Sequence, residues 1–225
     1  MTITLFGTCR LTNIPNHNNL NNMLNYTHST KEVIQLIKFL KGELTISEPY
    51  NTLCFRTGIV EKKPIYYDNT YNKLFLDSDT FIIEVCSRKK YIHGGFYLHH
   101  LCVDKRFNEN NQNNTQIDIF NNHTVEKQSN EEIENDILEI QKLLYPKKII
   151  IVSHYNAKLN GEYIKDRNDL IHTLETVCKK YNITFVNPTL IMSQFKQEEV
   201  LSDDLGHYTQ LGFYIFSKYM YITHS

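Results

Sequence analysis

Apolar and polar positions along this chain fall into blocks whose period switches between that of a strand and that of a helix. Ile3 to Phe6 is a short, largely apolar run closed by Gly7, which predicts a buried strand and a sharp turn. Asn13 to Tyr26 lacks a period and reads as a loop with at most a helical turn. Ser29 and Glu32 have capping-box spacing, so a helix is expected from there to about Lys41, with Val33, Ile34, Ile37 and Leu40 as its inner stripe and Gly42 as its stop. Asn51 to Tyr71 reads as short strands or loops carrying several tyrosines. Thr80 to Val85 is a second apolar run, followed by Cys86-Ser87-Arg88. His93-Gly94-Gly95 marks a turn, and Phe96 to Val103 a strand or helix. Phe107 to His123 is dominated by Asn and Gln and reads as a mobile loop.

The second half is more regular. Ser129 and Glu132 cap a helix to about Leu144, with Ile133, Ile137, Ile140 and Leu144 on one face. Lys148 to Ser153 holds four successive apolar residues, as a strand covered on both faces would. Asp166 to Tyr181 is a helix with Leu170, Leu174, Val177 and Cys178 inward, Thr184 to Val186 a strand, and Thr209 to Tyr221 a final helix. This alternation predicts an α/β fold, a three-layer α/β/α sandwich with a mainly parallel central sheet.

Composition narrows the picture. At 225 residues the chain suits one core, read here as a single domain over 1–225. A net charge of −1 suggests neither a nucleic-acid nor an anionic membrane partner. No apolar run approaches the roughly 18–20 residues of a spanning helix, and Met1 leads straight into a short strand rather than a signal peptide, so a cytoplasmic location is the default expectation. The five cysteines are scattered without C-x-x-C spacing, which argues against a disulfide framework or a zinc site. Richness in Asn, Tyr, Ile and Lys, without Trp, fits an AT-rich genome.

Open parallel sheets place ligands at the carboxyl ends of their strands. Gly7-Thr8-Cys9, Cys86-Ser87-Arg88 and Ser153-His154-Tyr155-Asn156 all follow expected strands. The loop Asp203-Asp204-Leu205-Gly206-His207 can reach the same edge and sets a carboxylate three residues before a histidine. Asp204 would orient His207 as a general base and acid, and Cys9, after a tight glycine turn, is the favoured nucleophile. Thr8 is a weaker rival. Thr8, Arg10, Ser87, Arg88 and Asn156 are the expected substrate or oxyanion contacts, with Arg167 a further anion-binding candidate. The structural alternatives are a polar loop for Asp204–His207, a small buried residue for Cys9 and ordinary turn residues for Ser87 and Asn156. His93, His99, His100, His154 and His172 have no regular ligand spacing with nearby acids, so no metal site is expected.

On the blocks Gly7-Thr8-Cys9 and Asp204-Leu205-Gly206-His207, the chain resembles the SGNH hydrolase-like superfamily, and its first block is closest to the Gly-Ser-Cys variant of the GSCFA type. The resemblance implies a nucleophile after strand one and a D-x-x-H pair before the last helix. Cys9 stands in place of the usual serine, and the usual Gly-x-Asn-Asp block has no counterpart beyond Cys86-Ser87-Arg88 in position. A Cys/His pair on this frame is also similar to capsule-type polysaccharide acetyltransferases, which use acetyl-CoA. Phe6-Gly7-Thr8-Cys9-Arg10 and the composition further resemble the N-terminal acetyltransferase region of giant-virus amino-sugar modifying enzymes. These likenesses imply acetyl transfer from acetyl-CoA to an amino sugar or nucleotide-sugar, with a further domain after Ser225 left open. The alternatives are a carbohydrate esterase using the same residues and a non-catalytic sugar-binding domain.

Overall fold

Four of the apolar runs line up as one parallel sheet in the order β1 (Ile3–Phe6), β2 (Thr80–Val85), β6 (Lys148–Ser153), β9 (Thr184–Val186). The computed structural model describes residues 2–24, 26–104 and 114–224. Phe6 sits opposite Ile83, Ile82 opposite Ile150, and Val152 opposite Val186, so the register stacks apolar side chains across the sheet. On one face, Phe6, Phe81, Ile83, Val85 and Ile151 pack against helices α2 (Thr30–Leu40), α7 (Asn130–Leu144) and α8 (Lys165–Lys180). On the other, Leu5, Ile82, Ile150 and Val152 meet Phe216 and Met220 of the last helix, α11 (Gln210–His224). The sandwich predicted from alternation is therefore present, built on a sheet buried on both sides.

Helix ends follow their capping chemistry. Ser129 accepts from the Glu132 N–H while Glu132 accepts from the Ser129 N–H, a complete capping box opening α7. At α2, Ser29 accepts from the Glu32 N–H, but the Glu32 carboxylate reaches one residue further back, to the His28 N–H. Asp136, buried on α7, accepts from Thr30, Lys31 and Gln128 and so joins α7 to α2.

Two segments depart from expectation. Asn51 to Tyr71, read as short strands or loops, lies in a stretch that holds helices α3 (Tyr50–Leu53), α4 (Arg56–Glu61) and α5 (Asn69–Leu76). Burial of Leu53, Phe55, Ile59 and Phe75 against the core overrides the weak helix propensity of their Asn, Thr and Tyr neighbours. Of the loop expected at 107–123, residues 107–113 lie outside the described residues. Asn114–Asn122 is helix α6, anchored by buried Ile119, and it leads into an edge strand, β5 (Thr124–Lys127). A helical turn in the N-terminal Asn-rich stretch is α1 (Leu20–Leu24).

A second sheet, not foreseen, is antiparallel in the order β4 (Phe96–Leu98), β3 (Lys89–His93), β5. Gly94 and Gly95 turn its hairpin at φ of 56° and 82°, and a Cβ on Gly94 would fall 2.2 Å from the Tyr50 hydroxyl. Gln35 of α2 clasps the Tyr97 backbone, donating to its carbonyl at 2.8 Å and accepting its N–H at 2.9 Å, so the hairpin rides on α2.

Candidate active site

The chain after β1 approaches β2 so closely that only glycine fits: a Cβ on Gly7 would lie 2.6 Å from Glu84 Cβ. Glu84 is the single carboxylate inside the apolar run of β2, and it is buried. Its Oε2 accepts from the Thr8 N–H at 2.9 Å and the Thr8 hydroxyl at 2.6 Å, and its Oε1 from Arg10 Nε at 2.5 Å. A buried charge survives only when paired and hydrogen-bonded. Here the pairing shapes the loop: Thr8 and Arg10 turn toward Glu84, and half-buried Cys9 between them is left on the wall of a cleft.

Arg10 also donates from Nη1 to the Gly206 carbonyl at 2.5 Å, while Arg167 of α8 donates to the Leu205 carbonyl at 2.8 Å. Two guanidinium groups thus hold the far loop by adjacent carbonyls, with Leu205 in the left-handed region at φ 54°. Burial works against the Arg10 charge, but neighbouring Glu84 more than restores it and raises its pKa.

In that loop Asp204 Oδ1 accepts from the Gly206 N–H at 2.8 Å and the His207 N–H at 3.0 Å, and Oδ2 lies 2.5 Å from His207 Nδ1. Those donors hold the Asp204 carboxyl at about 2, the Gly206 N–H contributing most. An ionised carboxylate only accepts, so Nδ1 carries the imidazole proton and Nε2 keeps its lone pair. This is the tautomer a general base requires.

His207 and Cys9 line one cleft of about 740 Å³ at the carboxyl edge of the sheet, together with Thr8, Arg10, Ser87 and Gly206. Burial raises the Cys9 thiol above its ordinary pKa, with Arg10 partly offsetting it, so the resting group is a thiol and needs a base to become a nucleophile.

The remaining expected contacts divide. Ser87 is on the cleft, where its hydroxyl oxygen accepts from the Lys89 N–H. Thr8 lines it too, but its hydroxyl and N–H both point to Glu84, which removes them as nucleophile or oxyanion donor. Arg10 acts as a clamp rather than a free anion receptor. Arg88 turns away from the cleft: its Nη2 donates to the Asp169 carbonyl and Thr173 hydroxyl, bracing β3 against α8. Asn156 donates from its side-chain amide to Asn168 and from its backbone N–H to the Thr189 hydroxyl oxygen, outside the cleft lining. Both residues follow strands at the correct edge, but strand-end position does not fix side-chain direction.

Part of the lining was not foreseen. It is made by Tyr26, His28, Glu32, Arg56, His99 and His100. The N–H groups of Cys86 and Ser87 both donate to the His28 carbonyl, docking the start of α2 on the end of β2. Glu84 carried a readable signal, an acid within an apolar run, whereas His28 and His99 are brought together only by tertiary folding.

Residues 1–120 and 102–220 match the profile described as the TviD N-terminal domain. The chain belongs to that family. It is similar to the Vi polysaccharide biosynthesis protein TviD of Salmonella typhi, 28% identical over 255 residues that cover 93% of this chain and 30% of that protein. The chain therefore spans about 30% of the length of this relative. Among solved structures it is similar to an α/β hydrolase enzyme from the Lake Arreo metagenome (TM-score 0.45, 10% identity, 98% of this chain and 93% of that one). It is also similar to an acetylxylan esterase from Geobacillus stearothermophilus (TM-score 0.44, 10% identity, 98% and 92%). A third likeness is to a member of the lipolytic G-D-S-L family from Veillonella parvula (TM-score 0.43, 10% identity, 100% and 98%).

Proposed function

We propose that this chain makes or breaks an acyl ester on a carbohydrate, with His207 as the proton-transferring base and Asp204 as its orienting partner. The observation that carries the reading is the Asp204–His207 contact of 2.5 Å on a cleft shared with Cys9. His207 Nε2 takes a proton from the attacking group, whether the Cys9 thiol, an acceptor hydroxyl or water, and returns it to the leaving oxygen or sulfur. Asp204 stabilises the imidazolium formed in between.

Hydrolysis is the direction we favour. The His207 side chain is 58% exposed, so water reaches the base without any closure of the cleft. The second reading is acetyl transfer from acetyl-CoA to an amino sugar or nucleotide-sugar. The biosynthetic role printed for the TviD relative supports it, since biosynthesis of a polysaccharide adds groups more often than it removes them. A location in the cytoplasm is part of that proposal, because acetyl-CoA is supplied there.

The test pairs acetate release from acetylated oligosaccharides with thiol release from acetyl-CoA in the presence of sugar acceptors. Wild type, Cys9→Ala and His207→Ala are compared in each assay. Hydrolysis lost in both variants establishes the esterase with Cys9 as the acyl carrier. Acceptor-dependent thiol release instead establishes the transferase. Activity that survives Cys9→Ala but not His207→Ala assigns direct activation by the histidine. Inactivity of wild type in both assays overturns the proposal in favour of a sugar-binding domain.

A further inference from the structure

In the cleft that His207 lines, three imidazoles pack together, His28 edge-on to His99 and to His100 and those two tilted against each other. Ring centroids are 4.2 Å apart for His28 and His100, 4.4 Å for His99 and His100, and 5.0 Å for His28 and His99. One nitrogen from each ring lies within 4.8 Å of one from each of the others. His28 Nδ1, His99 Nε2 and His100 Nδ1 are all shielded from solvent and without a hydrogen-bond partner. Each buried nitrogen without a partner needs an explanation, and three gathered in one cluster from two separate elements point to a shared ligand. His99 is itself fully buried, at 1% exposure.

We propose that His28, His99 and His100 form a site for a divalent transition cation of the zinc class, with an open coordination position toward the cleft. Neutral imidazole is the commonest ligand for such ions, and three protein ligands plus one open position is the arrangement of a zinc ion that meets substrate. Zinc–nitrogen bonds of roughly 2.0–2.1 Å place tetrahedral nitrogens about 3.3 Å apart, so the rings need to close by less than about 1 Å each. The charges nearby are mixed. Glu32 Oε2 lies 3.5 Å from His28 Nδ1, and Asp104 also favours positive charge at His100, whereas Arg56 opposes it at His99 and His100.

Coordination has one local consequence. His99 Nδ1 accepts the Leu101 N–H at 3.2 Å. Whichever nitrogen of His99 binds the ion, the Nδ1 lone pair stops accepting: it is either used by the metal or replaced by a proton. The Leu101 amide is therefore a reporter of occupancy that does not depend on any enzymatic assay.

The experiment is titration of the full chain with Co²⁺, read by visible d–d absorption, and with Zn²⁺, read by thermal unfolding and by the Leu101 amide resonance. The expected result is a single saturable equivalent with tetrahedral-type bands, a raised melting temperature and a shifted Leu101 amide. His28→Gln and His100→Gln, at half-buried positions, each weaken binding at least about tenfold. His172→Gln, on a different face, and Cys9→Ala leave it unchanged. No saturable equivalent in the wild-type chain overturns the proposal, as does binding indifferent to both cluster variants. Because the readouts are spectroscopic, a failure here is distinct from a failure of the acyl-ester reading.

Discussion

Asp204 is the residue on which the chemistry of the cleft turns, because one carboxylate fixes both the loop and the imidazole. Its Oδ1 gathers two backbone N–H groups while Oδ2 holds His207 Nδ1. Asp204→Asn separates these two tasks. The amide oxygen still accepts from the Gly206 and His207 N–H groups, but the remaining NH₂ faces Nδ1 and forces the imidazole proton onto Nε2. We expect kcat to fall by about 10²–10⁴ with little change in KM. The side chain is 54% exposed, so the melting temperature should scarcely move. Steady-state kinetics on an acetyl ester decides it, and a loss below tenfold would mean that His207 does not depend on its carboxylate. This pair was legible in the sequence because the two residues are three apart and their geometry is local. Thr8 was misread for the opposite reason: its hydroxyl is claimed by Glu84, 76 positions away.

At the scale of elements, the strand-end loops are organised by Arg10, which connects β2 to the loop at 203–207 through Glu84 and the Gly206 carbonyl. Removing one member of a buried pair strands the other charge. Arg10→Met is thus expected to cost about 3–5 kcal/mol of stability, whereas Arg10→Met with Glu84→Met should recover most of that by replacing the pair with apolar packing. Urea unfolding of the three proteins measures the difference. The double variant should nonetheless stay poorly active, since the Gly206 carbonyl has lost its anchor. Full activity in a stable double variant would show that the loop needs no such anchor. Strands and the long helices were readable because their apolar periods are local and their caps explicit, as at Ser129 and Glu132. Helices α3 to α5 were not: they are short, rich in Asn, Thr and Tyr, and exist because Leu53, Phe55, Ile59 and Phe75 find a core supplied by distant segments.

For the whole molecule, the histidines couple stability to pH. The sequence established an α/β sandwich by its alternation of elements, but it left the wall of buried imidazoles invisible, because burial is a property of the assembled chain. Burial lowers the pKa of His99 and His154 well below the usual value, and desolvation, then His28, takes His100 to about 4. All three are neutral when folded at neutral pH, whereas in the unfolded chain they titrate near 6.5. Between pH 6.5 and 4 the unfolded state binds more protons, so stability rises with pH across that window and is lost as pH falls through it. His100 alone accounts for at most about 3 kcal/mol, at 1.36 kcal/mol per pH unit. Asp204 acts elsewhere: its pKa is depressed to about 2, so its contribution is complete above about 3.9 and lost only below. Urea unfolding at pH 7 and pH 5 should therefore show a clear drop at the lower value, reduced by His100→Gln and left intact by Asp204→Asn. A stability that is flat from pH 7 to 5 would mean that the imidazoles are solvated.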